Sequence, residues 1–231
     1  MSGKVIRVVV LVALVAFCTG AVSAQDIKKP EPTVPEIFTL TGEFVRIAYN
    51  NEGFVTLGYR VANDSVAEDW MLLEVGVTLR APTKGQKMTR NAFSLILPDG
   101  STIGLATQKE FGGAGHLPAL NTRGNMVRDS INYFPVQADR PCAIGFFSDP
   151  TNRVRAISYD VVDLSSNRAC LGRIFFKVPG TIQTGQHYLL VKFENSMIEV
   201  PFRILTKAEE KEFRKNWKSL KKEHDAEYKQ Q

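Results

Sequence analysis

Two cysteines, Cys142 and Cys170, are the residues of this chain whose type and spacing carry the most definite chemistry. Each stands just upstream of an aromatic-rich strand pattern, Ala143-Ile144-Gly145-Phe146-Phe147 in one case and Leu171-Gly172-Arg173-Ile174-Phe175-Phe176 in the other. Between them, residues 154–162 read as a further strand with Ile157, Tyr159 and Val161 on one face. Three strands running up, down and up put both cysteines at one end of the fold. A disulfide then forms if facing sheets or loops bring their Cα atoms within about 7 Å. Two buried free thiols are the plain alternative.

The other reactive side chains form no recognisable constellation. His116, His187 and His224 fall in a loop, a strand start and a terminal helix, and no two share the short spacing that metal ligation needs. Carboxylates are plentiful, and Asp149, Asn152, Asp160 and Asp163 could line a calcium site, although turn formation explains them more simply. There is no Gly-x-Ser-x-Gly elbow, no His-Glu-x-x-His and no phosphate-cradling glycine loop with its lysine. The sequence therefore assigns no catalytic residue, no cofactor and no metal. A hydrolase using Glu110, His116 and Asp129 is the enzyme alternative, and it requires those three to converge in a cleft.

Residues 1–24 have the layout of a signal peptide: Lys4 and Arg7, then a short apolar run, then Val22-Ser23-Ala24 as the cleavage site. Lipidation of Cys18 is a rival reading that Phe17 disfavours, since a small residue belongs there. No later stretch reaches the roughly 20 apolar residues of a membrane span, so the mature chain is expected to carry none. Cleavage after Ala24 leaves two cysteines in an oxidising compartment, secreted or periplasmic, which favours their pairing. The mature chain has 27 basic against 24 acidic side chains, mixed almost everywhere, which argues against a nucleic-acid partner.

The elements that must position these residues follow from periodicity. Residues 25–36, with Pro30, Pro32 and Pro35, read as an extended tether. Residues 44–49 and 54–62 read as strands joined by Asn50-Asn51-Glu52-Gly53. In the next strand Met71, Leu73, Val75, Val77 and Leu79 alternate with Leu72, Glu74, Gly76, Thr78 and Arg80, so one face is expected to be buried. After a loop at 82–91, residues 93–97 and 102–106 form a hairpin through Pro98-Asp99-Gly100. Leu120, Gly124, Val127, Ile131 and Phe134 recur at helical spacing, which predicts a helix over about 119–132 crossing between two sheets, behind a flexible loop at 112–116. Residues 188–193 and 198–204 form the last hairpin.

From Thr206 the pattern changes. Thr206-Lys207-Ala208-Glu209 matches a capping box, and the helix it opens carries Phe213, Trp217, Leu220, His224 and Tyr228 on one stripe. That stripe closes one end of the fold, or it presents Phe213, Trp217 and Leu220 to a protein partner, with His116 as a further contact. Binding of a membrane surface through the lysines ranks third, because six acids dilute eight bases.

These elements predict a mainly β fold: a β-sandwich at 37–205 with a short inserted helix, followed by an amphipathic helix at 206–231. Through residues 55–63 with the long strand after them, the 93–103 hairpin and the closing segment 172–200, the sequence resembles the immunoglobulin-like modules of secreted bacterial proteins. The resemblance implies an immunoglobulin-like sandwich and carries no catalytic residue across. The cysteine spacing departs from that of antibody domains, and no tryptophan lies between the pair. The functional expectation is a non-catalytic secreted or periplasmic module that binds or scaffolds a protein in the cell envelope. A purely structural envelope protein is the third reading, and the oligomeric state is left open.

Overall fold

Alternating apolar residues build two sheets that share one core. The computed structural model describes residues 44–115, 117–148 and 157–228, and leaves several side chains from position 217 onward undescribed. The signal peptide, Cys18, the tether, His116, Asp149 and Asn152 lie outside the described residues. One sheet has five strands in the order β1 (Val45–Tyr49), β2 (Gly53–Gly58), β3 (Trp70–Leu79), β9 (Arg168–Lys177) and β7 (Arg140–Ile144). The second has four, β11 (Met197–Ile204), β10 (Gly185–Lys192), β5 (Phe93–Ile96) and β6 (Thr102–Gly104). A separate ribbon pairs β4 (Gln86–Thr89) with β8 (Val161–Leu164). The protein is thus mainly β and sandwich-like. All pairings are antiparallel except β7 with β9.

The inner faces meet as the alternation requires. Val55, Leu57, Leu73, Val75, Val77, Ile174 and Phe176 from the first sheet and Leu95, Leu189, Val191, Val200 and Phe202 from the second are all buried in one cluster. Burying each such side chain contributes about 1.5–3 kcal/mol. The hairpin turns close as their residues dictate. Asn50 Oδ1 accepts from the N–H groups of Glu52 and Gly53, and Asp99 Oδ1 accepts from Ser101 N, with Gly100 at φ +83°.

Several expectations need correction. The strand predicted over 54–62 stops at Gly58, and the chain turns into α1 (Arg60–Asn63), whose Asn63 side chain accepts from Leu205 N. Asn63 is buried and serves as a structural anchor. The loop predicted at 82–91 contains β4. The strand predicted over 154–162 is represented, among the described residues, only by β8, which begins at Val161 and leaves to pair with β4. β7 consequently lies directly beside β9, and Cys142 is the register partner of Cys170. The predicted helix over 119–132 is replaced by α2 (Gln108–Gly113), α3 (Leu117–Met126) and an irregular segment after them. Thr107 and Glu110 form a capping box that starts α2, so Gly112 and Gly113 are its last turn rather than a loop.

The 108–135 arm lies on the outer face of the five-stranded sheet. It does not cross between sheets, and for that reason both faces of β3 are buried. Two glycines on that face make the fit: a Cβ on Gly58 would stand 2.9 Å from Ile131, and one on Gly76 would stand 2.6 Å from the Phe134 ring. Phe134 also packs on Phe54 at 6.3 Å between ring centroids. The last hairpin and α4 (Lys207–Tyr228) follow the sequence reading, with Glu209 N donating to Thr206 Oγ1 and Thr206 N to Glu209.

His187 lies in the core, fully buried beside Phe202 with Nδ1 3.0 Å from Gly185 O. Burial pushes its pKa below the ordinary 6.5, although the Gly185 carbonyl works against that shift. A depressed pKa means that the folded state favours the neutral ring. The stability tied to His187 is therefore full above about pH 6.5 and is lost as pH falls below it, by at most about 1.4 kcal/mol per pH unit. Urea midpoints between about pH 7 and 5 should fall in the wild type and fall less in His187→Phe. Equal slopes would refute the assignment.

Candidate functional site

The arm, the end of β7 and the end of β9 converge on a cleft of about 100 Å³. Its floor is three rings: Phe111 from α2, Phe147 just past β7 and Phe175 on β9, with centroids 4.8–5.1 Å apart. Edge-to-face and tilted packing at this separation is favourable beyond area burial alone. The Arg90 guanidinium lies 4.4 Å over the Phe147 ring and donates to the carbonyls of Phe146 and Ala106, which fixes the ring's backbone. The rim carries Ile157 and Tyr159, which are 67% and 57% exposed, and Tyr159 N donates to Gly145 O at 2.7 Å.

Behind the cleft, Arg173 reaches from β9 to Glu74 on β3 at 3.3 Å, with both side chains buried. The same guanidinium donates to Asn121 O, Gly124 O and Asn125 Oδ1 at the end of α3. A cation at a helix C-terminus satisfies carbonyls that have no partner within the helix. Arg173 is the only charged residue among the described residues lining the cleft. The chemistry on offer there is apolar and aromatic packing.

At the opposite end of the sheet a second buried carboxylate joins two turns. Glu52 accepts from Ser196 Oγ at 2.6 Å, from Asn195 N and Nδ2 and from Gln86 Nε2. Burial alone would raise its pKa, and those donors outweigh burial and hold it below the ordinary carboxylate value. Its role is architectural.

Of the candidates named from sequence, Cys142 and Cys170 are brought together as a disulfide with Cα atoms 4.1 Å apart. Phe213 packs on Phe44, with centroids at 6.3 Å, so it braces α4 against the body. Trp217 and Leu220 belong to α4, and their side chains are not described. Glu110 and Asp129 take separate structural partners: Glu110 caps α2, while Asp129 accepts two hydrogen bonds from Arg60 at 2.9–3.0 Å. Among the described residues no group of three or more His, Cys, Asp or Glu is placed to hold a metal. Nor is any helix among them long and apolar enough to cross a membrane.

Sequence reasoning missed Phe111, Arg90, Glu74 and Arg173. Glu74 and Arg173 did leave a signal, each being a lone charge inside an otherwise apolar strand pattern. Comparison with protein-family models, curated proteins and solved structures found no match.

Proposed function

We propose that the protein is a non-catalytic, secreted or periplasmic binding and scaffolding module, released by cleavage after Ala24, that works through protein–protein contacts. The observation that carries this reading is the cleft, where exposed Ile157 and Tyr159 border a concavity floored by Phe111, Phe147 and Phe175. Interface hot spots are enriched in aromatic side chains seated in well-packed, desolvated pockets. Arg173, held by Glu74 and by helix carbonyls, contributes rigidity there and leaves no free charge for proton transfer. The Cys142–Cys170 bridge suits an oxidising compartment. The reading includes an immunoglobulin-like sandwich, supported by two mainly antiparallel sheets sharing one core. It moves the expected contact region from the start of α4 to the cleft, because Phe213 braces the fold.

Replacing Tyr159 with a photo-crosslinking phenylalanine derivative tests this in the native envelope. One discrete adduct should form, should disappear in an Ile157→Asp background, and should not form from the same label at Asp99. A folded, normally abundant protein that yields no adduct from position 159 overturns the reading.

A further inference from the structure

Every lysine and arginine of α4 falls on one side of that helix. With about 3.6 residues per turn, Lys207, Lys211, Arg214, Lys215, Lys218, Lys221 and Lys222 occupy roughly one-third of the circumference over about 22 Å of axis. Glu209, Glu212, Glu223 and Glu227 gather on the opposite flank, and Asp225, near the end, is the one acid within the basic sector. An overall count of bases and acids hides this segregation, so the dilution expected from composition does not occur along the basic side.

The contacts of α4 with the body fix which side meets solvent. Phe213 lies against Phe44, and Glu209 pairs with Arg203 at 2.7 Å, both away from the basic sector. Lys207, Lys211, Arg214, Lys215 and Lys222 are all exposed. Among the described residues only Arg214 of this row has a carboxylate within ion-pair distance, its i−4 neighbour Glu210 at 2.6 Å. Close like charges on one helix face repel one another, and among the described residues Glu210 is the one carboxylate paired with this row.

We propose that the basic row of α4 is a docking surface for an anionic phospholipid bilayer. The row runs along one continuous helix, so a flat anionic surface can meet it without shape complementarity. Anionic leaflets attract clustered lysines and arginines, and the attraction decays within a Debye length. Because Phe213, at the head of the apolar stripe, packs on the body, the contact is electrostatic and peripheral, without insertion of the helix. Protein partners at the cleft and lipid at α4 are then separate engagements.

Co-sedimentation with vesicles tests this, using the protein purified as its host processes it. Vesicles of about one-third phosphatidylglycerol in phosphatidylcholine are compared with pure phosphatidylcholine, at about 50 mM and about 500 mM salt. Partition should be at least about tenfold stronger to the anionic vesicles at low salt and should collapse at high salt. The triple variant Lys211→Glu, Lys215→Glu, Lys222→Glu should lose it, and the corresponding triple glutamine variant should lose part of it, both with unchanged circular dichroism and Tm. Equal partition to neutral vesicles, salt-independent partition, or full binding by a folded glutamate variant overturns the proposal. So does binding to a soluble polyanion such as polyphosphate with none to vesicles.

Discussion

Arg173→Ala is expected to destabilise the protein by about 3–5 kcal/mol, the range for removing one partner of a buried ion pair. Three losses coincide at this side chain. Glu74 keeps its charge in a buried position without its cation, the carbonyls of Asn121 and Gly124 lose their donor, and the arm loses its anchor to β9. The last of these separates the proposal from a uniform loss of stability. Amide exchange in α3 and in the segment carrying Ile131 and Phe134 should accelerate well beyond that of β10 and β11 when measured at matched global stability. A double variant, Glu74→Leu with Arg173→Met, should recover part of the loss, because it leaves no unpaired buried charge. A denaturant midpoint for Arg173→Ala within about 1 kcal/mol of wild type would show that the pair is not a keystone.

The same arm explains how far the fold was legible. Inward positions were readable because Met71, Leu73, Val75, Val77 and Leu79 repeat every second residue, and the structure buries all five. The other face of that strand, with Glu74, Gly76 and Thr78, reads as solvent-facing by polarity and small size. It is buried because Phe134 sits over Gly76 and Arg173 neutralises Glu74. Period two says that two faces differ; it does not say what a distant segment will lay across the second one. The capping boxes lie at opposite ends of this scale. Thr206 and Glu209 were read correctly because a charged helix follows them, whereas Thr107 and Glu110 have the same form and open only six residues of helix. Helical spacing from Leu120 to Phe134 was half right. The helix stops at Met126, where Arg173 caps its carbonyls, and Ile131 and Phe134 serve as plugs in a segment without regular structure. The candidate site was the least legible part, since Phe111, Phe147 and Phe175 come from three elements whose meeting depends on β7 lying parallel to β9.

That parallel pairing is what the disulfide secures, and its removal is the second large effect. Among the described residues β7 is an edge strand of five residues with one strand neighbour and Pro141 among its members, so its hydrogen bonds alone hold it weakly. It also approaches β9 closely, since a Cβ at Gly172 would collide with the Ile144 backbone. The bridge between Cys142 and Cys170 closes 28 residues, which corresponds to about 3–4 kcal/mol on the chain-entropy model. For a chain of this size Cys142→Ala with Cys170→Ala should lower Tm by about 10 °C. Loss of amide protection should begin at 140–147 and spread to the Phe147 wall of the cleft before the central strands open. Reducing the wild-type protein with a dithiol should reproduce both changes, which separates loss of the bond from loss of the cysteine side chains. A bridge that merely decorated an already rigid edge would leave exchange at 140–147 unchanged on reduction, and the cleft would then owe its shape to packing of the three phenylalanines alone.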